Sequence, residues 1–225
     1  TLMRSSAASD VYKRQVFFIQ GMVTEMLSLL SKRISLFLCG NHVIEKEEIE
    51  IYQYGFEIIL SSLIGFILSI AVGCCLGMFF YALLYYGIFV ILRLFTGGFH
   101  ANTYLSCNLV FLLVSLSTLG ISKIMMYTNI YSIVAHIIII FISAAVVIKF
   151  APIENENKPL NFEKRIRNQK ISRFLIIILS IFACIMFFFM RNIAITIALT
   201  LLSVSMLMVV SLIKPKEMKK SEQDQ

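Results

Sequence analysis

Charged side chains are what this sequence has least of. They make up 15% of its 225 residues, against about 25% in a soluble globular domain. With a mean hydropathy of +0.86, a soluble fold is excluded and an integral membrane protein is expected. Strict apolar/polar alternation is also missing, which excludes a lipid-facing β-barrel. That leaves the α-helix, because lipid offers no partner to an unpaired backbone amide. There is no HExxH, no GxSxG and no pair of intramembrane aspartates, which disfavours the zinc, serine and aspartyl routes to proteolysis. The five cysteines, Cys39, Cys74, Cys75, Cys107 and Cys184, show no CxxC spacing and no second His at ligand distance, so no metal is expected.

Uncharged sequence is present in quantity. It runs from Ile58 to Leu92, Leu94 to Ser122, Ile124 to Ile148, Phe174 to Met190 and Asn192 to Ile213, counting only Asp, Glu, Lys and Arg as charged. A span takes about 20 helical residues, so the first run holds two passes and the others one each. Six transmembrane helices are expected, at about 52–72, 75–94, 104–122, 130–150, 172–190 and 193–213. Gly73 and Gly77 mark the first tight turn, and Arg191 with Asn192 the last. The Lys and Arg residues decide orientation. With both termini cytoplasmic, Lys32, Arg33, Arg93, the seven basic residues of a 149–173 loop and the basic tail 214–225 all lie inside, and only Lys123 and Arg191 lie outside. The expectation is an all-α, multi-pass protein of the bacterial cell membrane. Its net charge of +7 then reflects topology and contact with anionic lipid, and no nucleic-acid partner is expected.

Residues 1–21 are polar and unlike the rest. They read as a non-native or disordered leader, resembling translated adapter sequence, with the native start expected at Met22 or Met26. A single polytopic domain is expected over 22–213. Between Thr24 and Cys39, apolar residues recur with helical spacing around Lys32 and Arg33. This predicts an amphipathic helix, lying in the inner headgroup layer or packed on the bundle. The acidic stretch NHVIEKEEIE, 41–50, reads as a connector with Asn41 capping a short helix.

One short polar stretch, RLFTGGFHANTYLSC at 93–107, interrupts the apolar sequence. A non-helical break at membrane depth is tolerated only where it faces protein or water, and the glycine pair permits a tight reversal. Asn102 or Thr103 can cap the third span, which puts Cys107 about one turn in. There the unpaired amides and the helix dipole attract the negative charge that a nucleophilic sulfur carries. On one continuous helix His100 and Cys107 would stand roughly 10 Å apart along the axis, beyond the reach of a proton transfer. A working pair therefore requires His100 on the loop, folded back over the helix start.

The stretch resembles the signature of the AgrB family, membrane cysteine endopeptidases that process AgrD-type precursors of cyclic autoinducing peptides in quorum sensing. The layout of six apolar segments, the acidic EKEEIEIYQYGFEIIL before the first span and the cytoplasmic APIENENKPLNFEKR after the fourth are similar too, so the likeness covers roughly residues 24–213. It implies that His100 and Cys107 are the catalytic pair at the cytoplasmic face, that Arg93 and Gly98 are functionally important, that the partner is an AgrD-like precursor, that the protein is a homodimer, and that no cofactor is needed. The implied reaction is cleavage through an acyl-enzyme thioester, followed by thiolactone or lactone closure.

The remaining assignments are supporting ones. Gly97 and Asn102 belong to the same break. Arg93 either binds a carboxylate or phosphate or anchors the span at the interface. Glu57 either orients His100, pairs with Arg93 or is solvated. Lys158, Lys164, Arg165, Arg167 and Lys170 form a topogenic loop that could also steer an acidic precursor. His136, in the fourth span, and His42 read as structural or solvated. The alternative function is a small transporter or peptide exporter, which would want polar residues at mid-membrane; here they cluster at one boundary.

Overall fold

The computed structural model describes residues 26–97, 104–128, 130–153 and 162–223. A helix α1 over 26–40 and a single 3-10 turn, Lys46–Glu48, precede six long helices. These are α2 (Ile49–Cys75), α3 (Phe79–Thr96), α4 (Tyr104–Thr128), α5 (Ile133–Phe150), α6 (Phe162–Phe189) and α7 (Arg191–Gln223). No strand occurs among the described residues, and the six long helices are each apolar enough to cross a membrane, as the uncharged runs predict. By contact the chain divides into two compact units, Thr1–Leu68 with Ala101–Leu112, and Ser69–His100 with Leu113–Gln225.

In the first unit α1 turns one narrow stripe of two serines and a leucine inward and most of its large apolar residues outward. Leu27, Ser31 and Ser35, spaced four apart, are buried, whereas Met26, Leu29, Leu30, Leu36 and Phe37 are exposed. The Ser31 hydroxyl lies 3.4 Å from Glu57 of α2, and the Gln53 amide 3.3 Å from the Ser28 hydroxyl. α1 thus seats a polar stripe on α2 and presents an apolar face to its surroundings, the arrangement lipid favours. Its end departs from the expectation for Asn41. Val43 N–H donates to Leu38 O and His42 N–H to Cys39 O, each at 3.0 Å, with His42 at φ +57°. This is a Schellman closure, and the Asn41 amide donates back to Phe37 O at 2.8 Å. Asn41 therefore ends α1 and does not start a short helix, because the helix before it leaves carbonyls to satisfy.

In the second unit α7 is the central helix, packed by α3, α5 and α6. Ala194, Thr196, Ile197, Ala198 and Leu201 are fully buried. Small residues let the neighbouring backbones approach, and the buried hydroxyls bond to their own helix, Thr200 to Thr196 O at 2.7 Å and Thr196 to Asn192 O at 3.2 Å. α3 buries Ala82, Tyr85, Phe89, Leu92 and Thr96, a three-four spacing that marks one face. Its turn from α2 is a second Schellman closure, with Met78 N–H on Gly73 O at 2.6 Å, Gly77 N–H on Cys74 O at 3.0 Å and Gly77 at φ +67°. A Cβ on Gly73 would collide with Cβ of Ala82, so the two glycines that mark this turn do different jobs.

The charge pattern acquires a structural reason at this end. Lys123 Nζ donates to Leu76 O at 2.7 Å, and Arg191 Nη2 donates to Tyr131 O. The first carbonyl closes the end of α2 and the second belongs to the connector before α5. Beside Arg191, His136 is fully buried, with Nε2 3.1 Å from Ala183 O and Nδ1 3.0 Å from the Tyr131 hydroxyl. A carbonyl can only accept, so Nε2 carries the proton and Nδ1 accepts from the tyrosine. Phe187 lies 4.8 Å from the imidazole, centroid to centroid. Burial pushes the Tyr131 phenol above its ordinary pKa. Of the two readings the sequence left open for His136, structural or solvated, burial excludes the solvated one.

Helix boundaries correct the sequence reading in three places. The 149–173 loop is helix from Phe162 onward, where α6 begins: EKRIRNQKISR is built mostly of good helix formers, and charge excludes them from lipid without excluding them from helix. α7 runs to Gln223 for the same reason, and α4 runs to Thr128 because the sequence is apolar again after the single charge of Lys123.

Candidate active site

The polar stretch begins on α3. Arg93, one turn from its end, is half-buried with its guanidinium 5.7 Å from the Phe89 ring centroid, and its carbonyl accepts Gly97 N–H at 3.1 Å. Thr96 is fully buried; its hydroxyl donates to Gly97 O at 3.3 Å. Gly97 then leaves the helix with φ +67° and ψ −147°, a region open essentially to glycine alone. Its partner is the segment after α5. Ile153 N–H donates to Thr96 O at 2.9 Å, forming an isolated parallel bridge between Gly97 and Ile153, and a Cβ on Gly97 would run into Ile153 O. Ala151 and Pro152 before it are buried.

Cys107 lies in the first turn of α4, half-buried and outside any disulfide. Asn108 beside it is buried. One turn further, Phe111 packs 3.7 Å from where a Cβ on Gly65 of α2 would be. Glu57, half-buried on α2, accepts from Ser31 at 3.4 Å and from Gln53 at 3.3 Å, so these bonds tie it to α1 and to its own helix. Lys164, Arg165, Arg167 and Lys170 lie on the first turns of α6, all four exposed. Gly98, His100, Asn102 and Lys158 lie outside the described residues. Among the described residues, no three His, Cys, Asp or Glu side chains converge as metal ligands.

Two features escaped the sequence reading. The Thr96–Ile153 pairing joins segments more than fifty residues apart through backbone atoms, which leave no trace in side-chain pattern; only Gly97 hints at it. Ser31 and Ser28, which hold α1 to Glu57 and Gln53 of α2, look in sequence like ordinary polar positions of an amphipathic helix.

The chain matches the family "Accessory gene regulator B" (AgrB) over residues 31–212. It is 30% identical over 148 residues to an AgrB-like protein of Clostridium perfringens (strain SM101, type A), covering 64% of this chain and 69% of that one. A second AgrB-like protein, from Clostridium perfringens strain 13, is 28% identical over 148 residues with the same coverage. No solved structure matches the chain. Six membrane-length helices carrying RLFTGGFHANTYLSC at the α3–α4 junction therefore go with a match over most of the sequence, and the chain belongs to the accessory gene regulator B family.

Proposed function

We propose that this chain is a membrane cysteine endopeptidase that cleaves an AgrD-like precursor and closes the released segment into a cyclic autoinducing peptide. One observation carries the reading: Cys107 stands half-buried in the first turn of α4, within the family's motif. A helix start supports an anionic nucleophile through its unpaired amides.

The chemistry follows from these groups. The Cys107 thiol gives its proton to His100 and its sulfur attacks a precursor peptide carbonyl. The C–N bond breaks, and His100 returns the proton to the leaving amine. A thiol or hydroxyl of the retained segment then attacks the thioester. A ring thiolactone or lactone forms, and Cys107 recovers its proton. Thioester exchange is nearly isoenergetic, so closure consumes no nucleotide, and partial burial of the sulfur keeps water from the acyl-enzyme.

The active site belongs at the cytoplasmic face. Supporting this, Arg93, Lys149 and the basic first turns of α6 share one end of their unit, which the Thr96–Ile153 pairing and the Arg173–Ile148 bond hold together. Lys164, Arg165, Arg167 and Lys170, exposed there, would attract acidic residues of the precursor.

The test is co-expression with the small precursor encoded beside it, following precursor mass. Wild type shortens the precursor, whereas Cys107→Ala and His100→Ala reach the membrane and leave it intact. Cleavage by Cys107→Ala would overturn the assignment.

A further inference from the structure

We infer that the ring of Phe111 is the wall against which the side chain at the cleaved bond is fitted, so that Phe111 sets the size of residue the precursor can carry there; this rests on the peptidase reading. Phe111 follows Cys107 by four residues on one continuous helix, Tyr104–Thr128. Residues four apart share a helical face, with Cβ atoms about 5–6 Å from each other. A long side chain on a helix also leans toward the N-terminus and covers the turn before its own Cα. For Phe111 that is the turn that carries Cys107. Burial agrees with this placement: Cys107 and Phe111 are both half-buried, whereas Leu109, on the opposite face, is exposed.

The ring is backed by α2 within the same compact unit. Its Cδ1 and Cε1 atoms lie 3.7 Å from where a Cβ on Gly65 would be, and Gly65 is buried. With no side chain in between, the α2 backbone stands directly behind the ring, the close approach that a small residue permits. The wall therefore has little room to retreat. Chemistry makes its position matter. Attack bonds the Cys107 sulfur to a carbonyl carbon, and the side chain of the attacked residue branches from the atom next to that carbon. It must therefore lie beside the sulfur during attack, in the acyl-enzyme and through ring closure. Along α4 the helix start lies to one side of Cys107 and the Phe111 ring to the other. A side chain that reaches the ring gains apolar contact, and one that overreaches it collides. In such a pocket one methylene is worth about 10–200-fold in rate.

The experiment uses the full chain reconstituted in lipid and the precursor encoded beside it, made with Leu or with Trp at the residue whose carbonyl is attacked. The readout is the ratio of kcat/KM for Trp over Leu. Phe111→Ala removes the wall, and the ratio is expected to rise about tenfold or more. Gly65→Val acts from behind: a Cβ there meets the ring at ordinary contact distance, and the branches beyond it push the ring toward Cys107. The ratio is then expected to fall several-fold. A purely structural Phe111 would slow both precursors alike and leave the ratio where it was. An unchanged ratio in Phe111→Ala, or shifts of one sign in both variants, would overturn the inference. Should Phe111→Ala cleave neither precursor, the space is read at Cys107 itself, with Cys39, Cys74, Cys75 and Cys184 replaced by Ser. The alkylation rate of N-phenylmaleimide relative to N-methylmaleimide rises several-fold if the ring walls the thiol, and a wild-type ratio overturns the inference. Cleavage by Cys107→Ala removes the peptidase reading and the inference with it, whereas Cys107-dependent cleavage with an unmoved ratio overturns the inference alone.

Discussion

His136 shows how a residue's surroundings decide between chemistry and support. Both ring nitrogens are engaged, by Ala183 O and the Tyr131 hydroxyl, inside a fully buried site. Neither is available to a substrate. Replacing it with Leu would strand the buried Tyr131 hydroxyl, a loss of about 1–3 kcal/mol. The expected outcome is a lower melting temperature in detergent, with cleavage unchanged at temperatures where the protein stays folded; a specific loss of turnover would give His136 a role in the reaction. Much of this residue scale was legible in sequence. Cys107 and Arg93 announce themselves because polar residues are rare in apolar runs. Thr96 does not, because its bond to Ile153 is made by a carbonyl, and every residue has one.

At the scale of elements, two helices end in the same Schellman closure with different residues at the left-handed position. Gly77, φ +67°, has open space within 4 Å of the place a Cβ would take, so Gly77→Ala meets only the intrinsic left-handed penalty, about 1 kcal/mol. His42, φ +57°, bears that penalty already, and His42→Gly is expected to stabilise by about 0.5 kcal/mol. Opposite shifts in thermal midpoint would verify the pair, and shifts of one sign would refute it. Apolar runs located all six long helices, yet missed their ends. α6 and α7 continue beyond lipid-compatible sequence, because helix formation depends on propensity and bonding, whereas run length records only the bilayer.

For the whole molecule, the orientation makes a labelling prediction. Lys123 and Arg191 serve Leu76 O and Tyr131 O, whereas the basic turns of α6 are largely exposed. With the basic end inside, Cys74 and Cys75, both exposed at the α2–α3 turn, should react with an impermeant maleimide on intact cells. A cysteine introduced at Lys164 or Arg165 in a cysteine-free background should react only after permeabilisation. The reverse pattern would invert the topology and move the proposed active site outside.

Membrane residence, the number of long helices and the motif bearing Cys107 are determined by sequence alone, since each depends on where charge is scarce and where it reappears. Tertiary structure decided the rest. It made α7 the buried centre of its unit and turned Ser28 and Ser31 of α1 toward Gln53 and Glu57. It also seated Thr96 and Gly97 on Ile153. The physical reason is shared: these arrangements rest on backbone bonds, small-residue approach and the choice of helix face, all of which many similar sequences could satisfy in other ways until the helices meet.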